Sequence, residues 1–242
     1  GTGVMRRPAS LRDPSLSRAA MERLQHEIAT TATFDDDHTL DRHEQVTVAG
    51  VDQGFDGETA TSAVVVVRGD EVVERAHASE ETEIPYVPGL LSFREGGVAL
   101  SALRALETTP DVVLVDGSGR IHFREAGLAT HIGVTLGVPT VGVAKSLLCG
   151  QTPESVSGLS EGARVPVEAD ASVTAAEGTV IGYAVQTRQY DSDSRYINPV
   201  YASPGHRVGA DTAADLVERQ ATRYKLPEPV RLADQYAADL TG

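Results

Sequence analysis

The four residues Val112 to Val115 form an unbroken apolar run that ends in Asp116-Gly117, and no other segment constrains the fold as strongly. A strand with one wet face alternates apolar and polar residues, whereas a run without alternation belongs to a strand buried on both faces. The chain must therefore cover this strand on two sides and leave a carboxylate at its carboxyl end. Upstream, Val46 to Asp52, Ala63 to Val67 and Val72 to Ala76 are β-branched apolar segments, with Gly69-Asp70 as a tight turn between the last two. Three antiparallel strands are the natural reading. Pro85 to Gly89 force extended backbone, after which a helix is predicted from about Phe93 to Leu106. Ala126 to Leu136 and Thr140 to Val143 supply a further helix and strand.

The flanks are less constrained. Leu16 to Ile28 have helical spacing and lead into an acidic loop, Asp35 to Glu44. Arg164 to Val167 and Thr179 to Thr187 read as strands, while Asp211 to Tyr224 and Arg231 to Leu240 read as helices separated by Pro227 and Pro229. No repeat or composition shift marks a second domain, so residues 1–242 are expected to be one domain with 1–15 and 227–242 peripheral.

Composition bounds the function classes. No stretch approaches the ~18 consecutive apolar residues of a membrane span, so no membrane association is expected. The single cysteine, Cys149, excludes an intrachain disulfide and cannot alone build a zinc site, which takes about four ligands. A reducing, cytoplasmic compartment is expected, and no secretory leader is apparent. The net charge of −14 counts against a nucleic-acid partner, because Lys and Arg normally neutralise phosphate, so binding there would depend on a local basic groove. Only two lysines occur, Lys145 and Lys225, among many arginines. That balance resembles proteins of salt-loving organisms, and a generic solvated acidic surface explains the charge about as well.

The order β-β-β-α-β-α-β puts Asp52 at the end of the first strand, Glu95 at the start of the next helix and Asp116 at the end of the fourth strand. Hard oxygen ligands of this kind suit Mg²⁺ or Mn²⁺, although three acids at element ends are by themselves as readily solvated caps. The text around each acid is more specific: GVDQGF at 50–55, PYVPGLLSFRE at 85–95 and LVDGSGRIHFREAGLATHIG at 114–133. With VPTVGVAKSLLCG at 138–150 and SPGHRVGADTA at 203–213, these blocks resemble the endonuclease V family from about Leu16 to about Tyr224. With the acidic, lysine-poor composition, the resemblance points to a halophilic archaeal source.

The resemblance implies an α/β, RNase H-like fold with a central mixed β-sheet flanked by helices. It implies a Mg²⁺-dependent DNA repair endonuclease, with Mn²⁺ as a substitute, that recognises deaminated bases, chiefly deoxyinosine. Cleavage by metal-activated water would fall 3′ to the lesion and leave 3′-hydroxyl and 5′-phosphate ends. Carried over by position, Asp52, Glu95 and Asp116 are the metal carboxylates, with His206 as a further metal-site or acid/base residue and Asp211 as a second candidate for that place. Lys145 is expected to contact the scissile phosphate, its alternative being a solvated surface lysine.

Tyr86 corresponds to a wedge that fills the stack when the damaged base rotates out, held by the flanking Pro85 and Pro88; the alternative is a tyrosine packed into a Pro-rich turn. Gly89, Leu91, Gly117, Gly119 and His122 correspond to the lesion pocket, with Ser118 between the last two glycines. Phe123 stands where the family commonly has proline. The expected partner is DNA bearing deaminated bases, bound by a monomer. The alternatives are an endoribonuclease of the same family acting on inosine-containing RNA, and a non-catalytic inosine-binding module.

Overall fold

A computed structural model of the protein describes residues 17–37, 40, 45–82 and 91–242, the side chains of 91–93 excepted. After α1 (Arg18–Thr31) come β1 (Thr47–Asp56), β2 (Thr59–Arg68), β3 (Glu71–Glu81), α2 (Leu91–Arg104), β4 (Val112–Asp116), α3 (Leu128–Leu136) and β5 (Thr140–Ala144). The rest is β6 (Arg164–Glu168), β7 (Val180–Val185), β8 (Val200–His206), α4 (Ala210–Gln220) and α5 (Glu228–Thr241). One eight-stranded sheet results, in the order β3-β2-β1-β4-β5-β8-β7-β6. β1, β4 and β5 run parallel, and every other pairing is antiparallel. This mixed sheet flanked by helices is the expected α/β architecture.

β4 is covered on both faces, as its lack of alternation required. Val112 and Leu114 join Val48, Val141, Val143, Leu216 and Val230 beneath α4 and α5. Val113 and Val115 join Ala49, Val51, Val64, Leu100 and Ile132 beneath α2 and α3. Each such aliphatic side chain contributes roughly 1.5–3 kcal/mol by leaving water. The hairpins β1-β2 and β2-β3 turn through Gly57 and Gly69, at φ 59° and 63°, in the left-handed region that other residues enter only with strain.

Two elements differ from the sequence reading. The SPGH segment belongs to β8, which lies between β5 and β7. Its proline hid it, because proline cannot donate to a ladder; here the register slips between Thr140 and Val141, opposite His206 and Pro204, so that the bulge absorbs the Pro204-Gly205 pair. Residues 227–242 are integral rather than peripheral. In α5, Val230, Ala233 and Ala237 are buried, and its first turn lies so close to β1 that a Cβ on Gly50 would stand 2.1 Å from the Pro229 carbonyl. Among the described residues, no helix is long and apolar enough to cross a membrane.

Candidate active site

Parallel pairing brings two carboxylates together at one edge. Val51 pairs with Val115, so the following residues, Asp52 and Asp116, stand side by side; Asp116 ends β4, whereas β1 continues in its hairpin with β2 to Asp56 rather than ending at Asp52 as expected. The carboxyls of Asp116 and of Asp234, on α5, lie close enough to the Asp52 carboxyl to act on it. Asp52 is 5% exposed. Burial, followed by the proximity and charge of Asp116, pushes its carboxyl up to about 9, against the pull of the Gln53 amide that donates to Oδ1 at 2.8 Å. Glu95, in the second turn of α2, is also buried, and burial with a smaller contribution from Asp116 raises it to about 7 despite Arg94 beside it.

Bare carboxylates only accept and repel one another, so acids this close call for a counter-charge. An oxygen-rich donor set of this kind, buried at Asp52 and Glu95 and open to water at Asp234, fits a hard divalent cation, whose charge would offset the carboxylates' mutual repulsion. Among the described residues the side chains do not stand as a compact ligand cage of three or more.

Lys145 follows β5 directly, exposed on the same edge and one strand from Asp116. Lys225, in the turn between α4 and α5, is close enough that Lys145, together with burial, holds its ammonium below the usual lysine range.

The other expected residues divide. Gly117 donates its amide to Val143 at 2.9 Å, and Gly119 donates to the Ser203 hydroxyl at 2.9 Å. A Cβ on Gly119 would stand 2.2 Å from the Pro204 carbonyl oxygen, which gives this glycine a packing role. His122 is buried, and its Nδ1 accepts from Arg124 N at 3.0 Å, so that this nitrogen carries no proton. Tyr86, Pro88 and Gly89, with Pro85, lie outside the described residues, and of Leu91 only the backbone at the start of α2 is described.

His206 is not at this edge. It pairs with Thr140, the first residue of β5, whereas Asp116 pairs with Val143, so His206 lies about 10 Å further back along the strands. There its Nδ1 accepts from Thr33 N at 3.2 Å, and burial and Arg207 lower its pKa. Asp211 is also elsewhere, accepting from the Tyr183 hydroxyl at 2.6 Å. Sequence reasoning missed Asp234, the acid that does reach the site. The available signal was its position on the same helical stripe as Val230, Ala237 and Thr241, although Asp234 itself is exposed.

Similarity to known proteins agrees with this geometry. A profile of the family described as Endonuclease V matches residues 24–235. Two curated proteins named Endonuclease V, from the halophilic archaea Haloarcula marismortui and Natronomonas pharaonis, are similar at 57% and 59% identity. The matches cover 96% and 94% of this chain and 95% and 93% of theirs. The solved catalytic domain of human Endonuclease V superimposes with a TM-score of 0.80 at 30% identity, over 94% of this chain and 96% of that one. Endonuclease V from Ciona intestinalis, solved with a 24mer DNA containing an inosine followed by a ribo-adenosine, superimposes with a TM-score of 0.75 at 25% identity, over 92% and 96%.

Proposed function

Because this chain belongs to the endonuclease V family and is therefore a nuclease with an RNase H-like fold, we propose that it cuts strands on the 3′ side of deaminated bases, chiefly deoxyinosine, with Mg²⁺ as its cofactor. The observation that carries the reading is the parallel β1-β4 register that sets Asp52 beside Asp116, with Glu95 buried nearby. These three acids and Asp234 would hold the ion. When bound there, a divalent ion supplies positive charge for the phosphate oxygens and lowers the pKa of the attacking water. Lys145 adds a point charge for the developing phosphorane. Tyr86 serves as the wedge of the flipped base, with Pro88 holding its loop and Gly89, Leu91, Gly117 and His122 bordering the pocket.

A second reading has one observation in its favour. The oligonucleotide bound by the Ciona relative carries a ribonucleotide directly after its inosine, so an inosine-directed endoribonuclease is the alternative. The deciding experiment is a nicking assay on matched deoxyinosine DNA, inosine RNA, uracil DNA and undamaged DNA, with and without Mg²⁺. Deoxyinosine-dependent, Mg²⁺-dependent cuts ending in a 3′-hydroxyl are expected, and Asp52→Ala or Asp116→Ala should lose them while still binding inosine. Faster cutting of the RNA would transfer the assignment to the alternative, and cuts that ignore the inosine would overturn both.

A further inference from the structure

The edge that carries Asp52, Asp116 and Lys145 continues beyond them. Ala144 pairs with Tyr201 and Val185 with Val200, so the 186–199 connection leaves the sheet on the side of Lys145. Its backbone is fixed by two amides. Gln186, fully buried, donates Nε2 to the carbonyls of Arg188 at 2.7 Å and Ile197 at 2.8 Å. Gln189 accepts from Ile197 N at 2.9 Å and Tyr190 N at 3.0 Å while donating to the Leu159 carbonyl at 2.7 Å. The Thr187 hydroxyl donates to the Lys225 carbonyl at 2.7 Å, tying this connection to the α4-α5 turn. Ordering entropy is thus lost on folding rather than on binding.

What this fixed backbone presents is aromatic. Tyr190 is 44% exposed, Tyr196 61% and, in the tied turn, Tyr224 56%. They are three of the five exposed large hydrophobic residues among the described ones, and the Thr187–Lys225 bond ties together the two segments that carry them. Guanidinium groups lie against two of the rings, Arg195 at 4.4 Å from the centroid of Tyr190 and Arg231 at 4.7 Å from that of Tyr224.

Charge identifies the part of a ligand that suits this surface. Residues 188–196 contain Arg188 and Arg195 but also Asp191 and Asp193, and Arg188 is engaged by Glu161 at 3.4 Å. The segment offers phosphate no net attraction, whereas an exposed tyrosine ring stacks any base and is indifferent to screening. Lys145, following β5 between β4 and β8, and Lys225, close to it, are cations placed to meet phosphate.

We propose that this edge is a single-strand track: a nucleic-acid strand with its scissile phosphate at the carboxylates passes Lys225 and stacks its outlying bases on Tyr190 and Tyr196. The proposal rests on the nuclease reading above. It is tested by anisotropy in EDTA, with single-stranded deoxyinosine oligonucleotides of about 20 and about 6 nucleotides, the longer able to reach past the lesion. Tyr196→Ala and Tyr190→Ala should each weaken binding of the longer strand by about fivefold to 150-fold, the worth of one stacked base. The short strand should be affected little, Tyr196→Phe should restore binding, and the salt slope should hold. Lys225→Ala should instead flatten the slope of log K against log salt by about 0.7. Equal losses on both lengths, a loss that phenylalanine does not restore, or no loss would overturn the track. Failure of the wild-type protein to nick any inosine strand with Mg²⁺ would overturn the nuclease reading itself.

Discussion

Asp234 is expected to act as a fourth carboxylate, because from α5 it lies close enough to Asp52 to act on its carboxyl. Asp234→Asn keeps the shape and removes the charge, and should lower nicking roughly 10- to 100-fold, as loss of a group that orients a metal ligand does. His206→Asn should cost far less, since that ring lies at the other end of β5. The reverse ranking in a nicking assay would return His206 to the site. The contrast shows what was legible at this scale. Asp52, Glu95 and Asp116 could be named because the text around each resembles the family's, since their places on β1, α2 and β4 would by themselves suit solvated caps as well. His206 misled because β8 was unseen, and a strand running back across the sheet carries its last residue away from the edge that its neighbours reach. His131 gives a second, independent test. It is 3% exposed, and burial pushes its pKa down to about 3. The folded form therefore refuses a proton that the unfolded chain takes near 6.5, so this contribution to stability is complete above that pH and lost progressively as pH falls toward 3. His131→Leu should flatten the fall in the unfolding midpoint between pH 6.5 and 4; an unchanged slope would assign acid sensitivity to other groups.

At the scale of elements, the contact of α5 with β1 sets the site, and Gly50 makes that contact possible. A Cβ there would stand 2.1 Å from the Pro229 carbonyl and 2.5 Å from Val230 N, both backbone and therefore unable to swing aside. Gly50→Ala should destabilise the fold by about 1–3 kcal/mol, as overpacking does. Because Asp234 follows Val230 by one turn, nicking should also fall by more than the lost folded fraction explains. Midpoints and rates measured on the same preparation separate the two, and a variant as stable and active as wild type would show that α5 moves freely over β1. Periodicity located β1 to β5, α2 and α3 with ends a few residues off, since local pattern determines those elements. It failed at β8, with its bulged proline, and although it found the helix that becomes α5, it gave no hint that β1 keeps Gly50 and Gly54 free for that helix to pack on. The edge strands also follow physical need. β3 carries Glu71, Glu74, Glu80 and Glu81, charges that discourage pairing with another sheet.

Across the whole molecule, 35 acidic residues against 21 basic ones leave −14 to be tolerated by a sheet with both faces covered. Like charges over one surface repel and favour expansion, an effect that salt removes as the Debye length shrinks from about 10 Å at 0.1 M to about 3 Å at 1 M. The unfolding midpoint should therefore climb with KCl over that range, by about 2–4 °C for each kcal/mol recovered in a chain of this size. EDTA must be present throughout, so that divalent binding at the carboxylates adds nothing, and a sucrose series distinguishes screening from solute exclusion. The competing possibility is local compensation. Arg164 bridges Asp215 and Glu218, Arg207 bridges Asp37, and Arg120 meets Glu125 at 3.0 Å, all partly buried pairs that salt would weaken rather than help. If such pairs dominate, the midpoint stays flat or falls with KCl. A rise would mean that repulsion among the acids outside such pairs governs stability, and that nucleic acid meets this protein against a repulsive field, which is strongest at low salt and relieved locally where Lys145 and Lys225 stand.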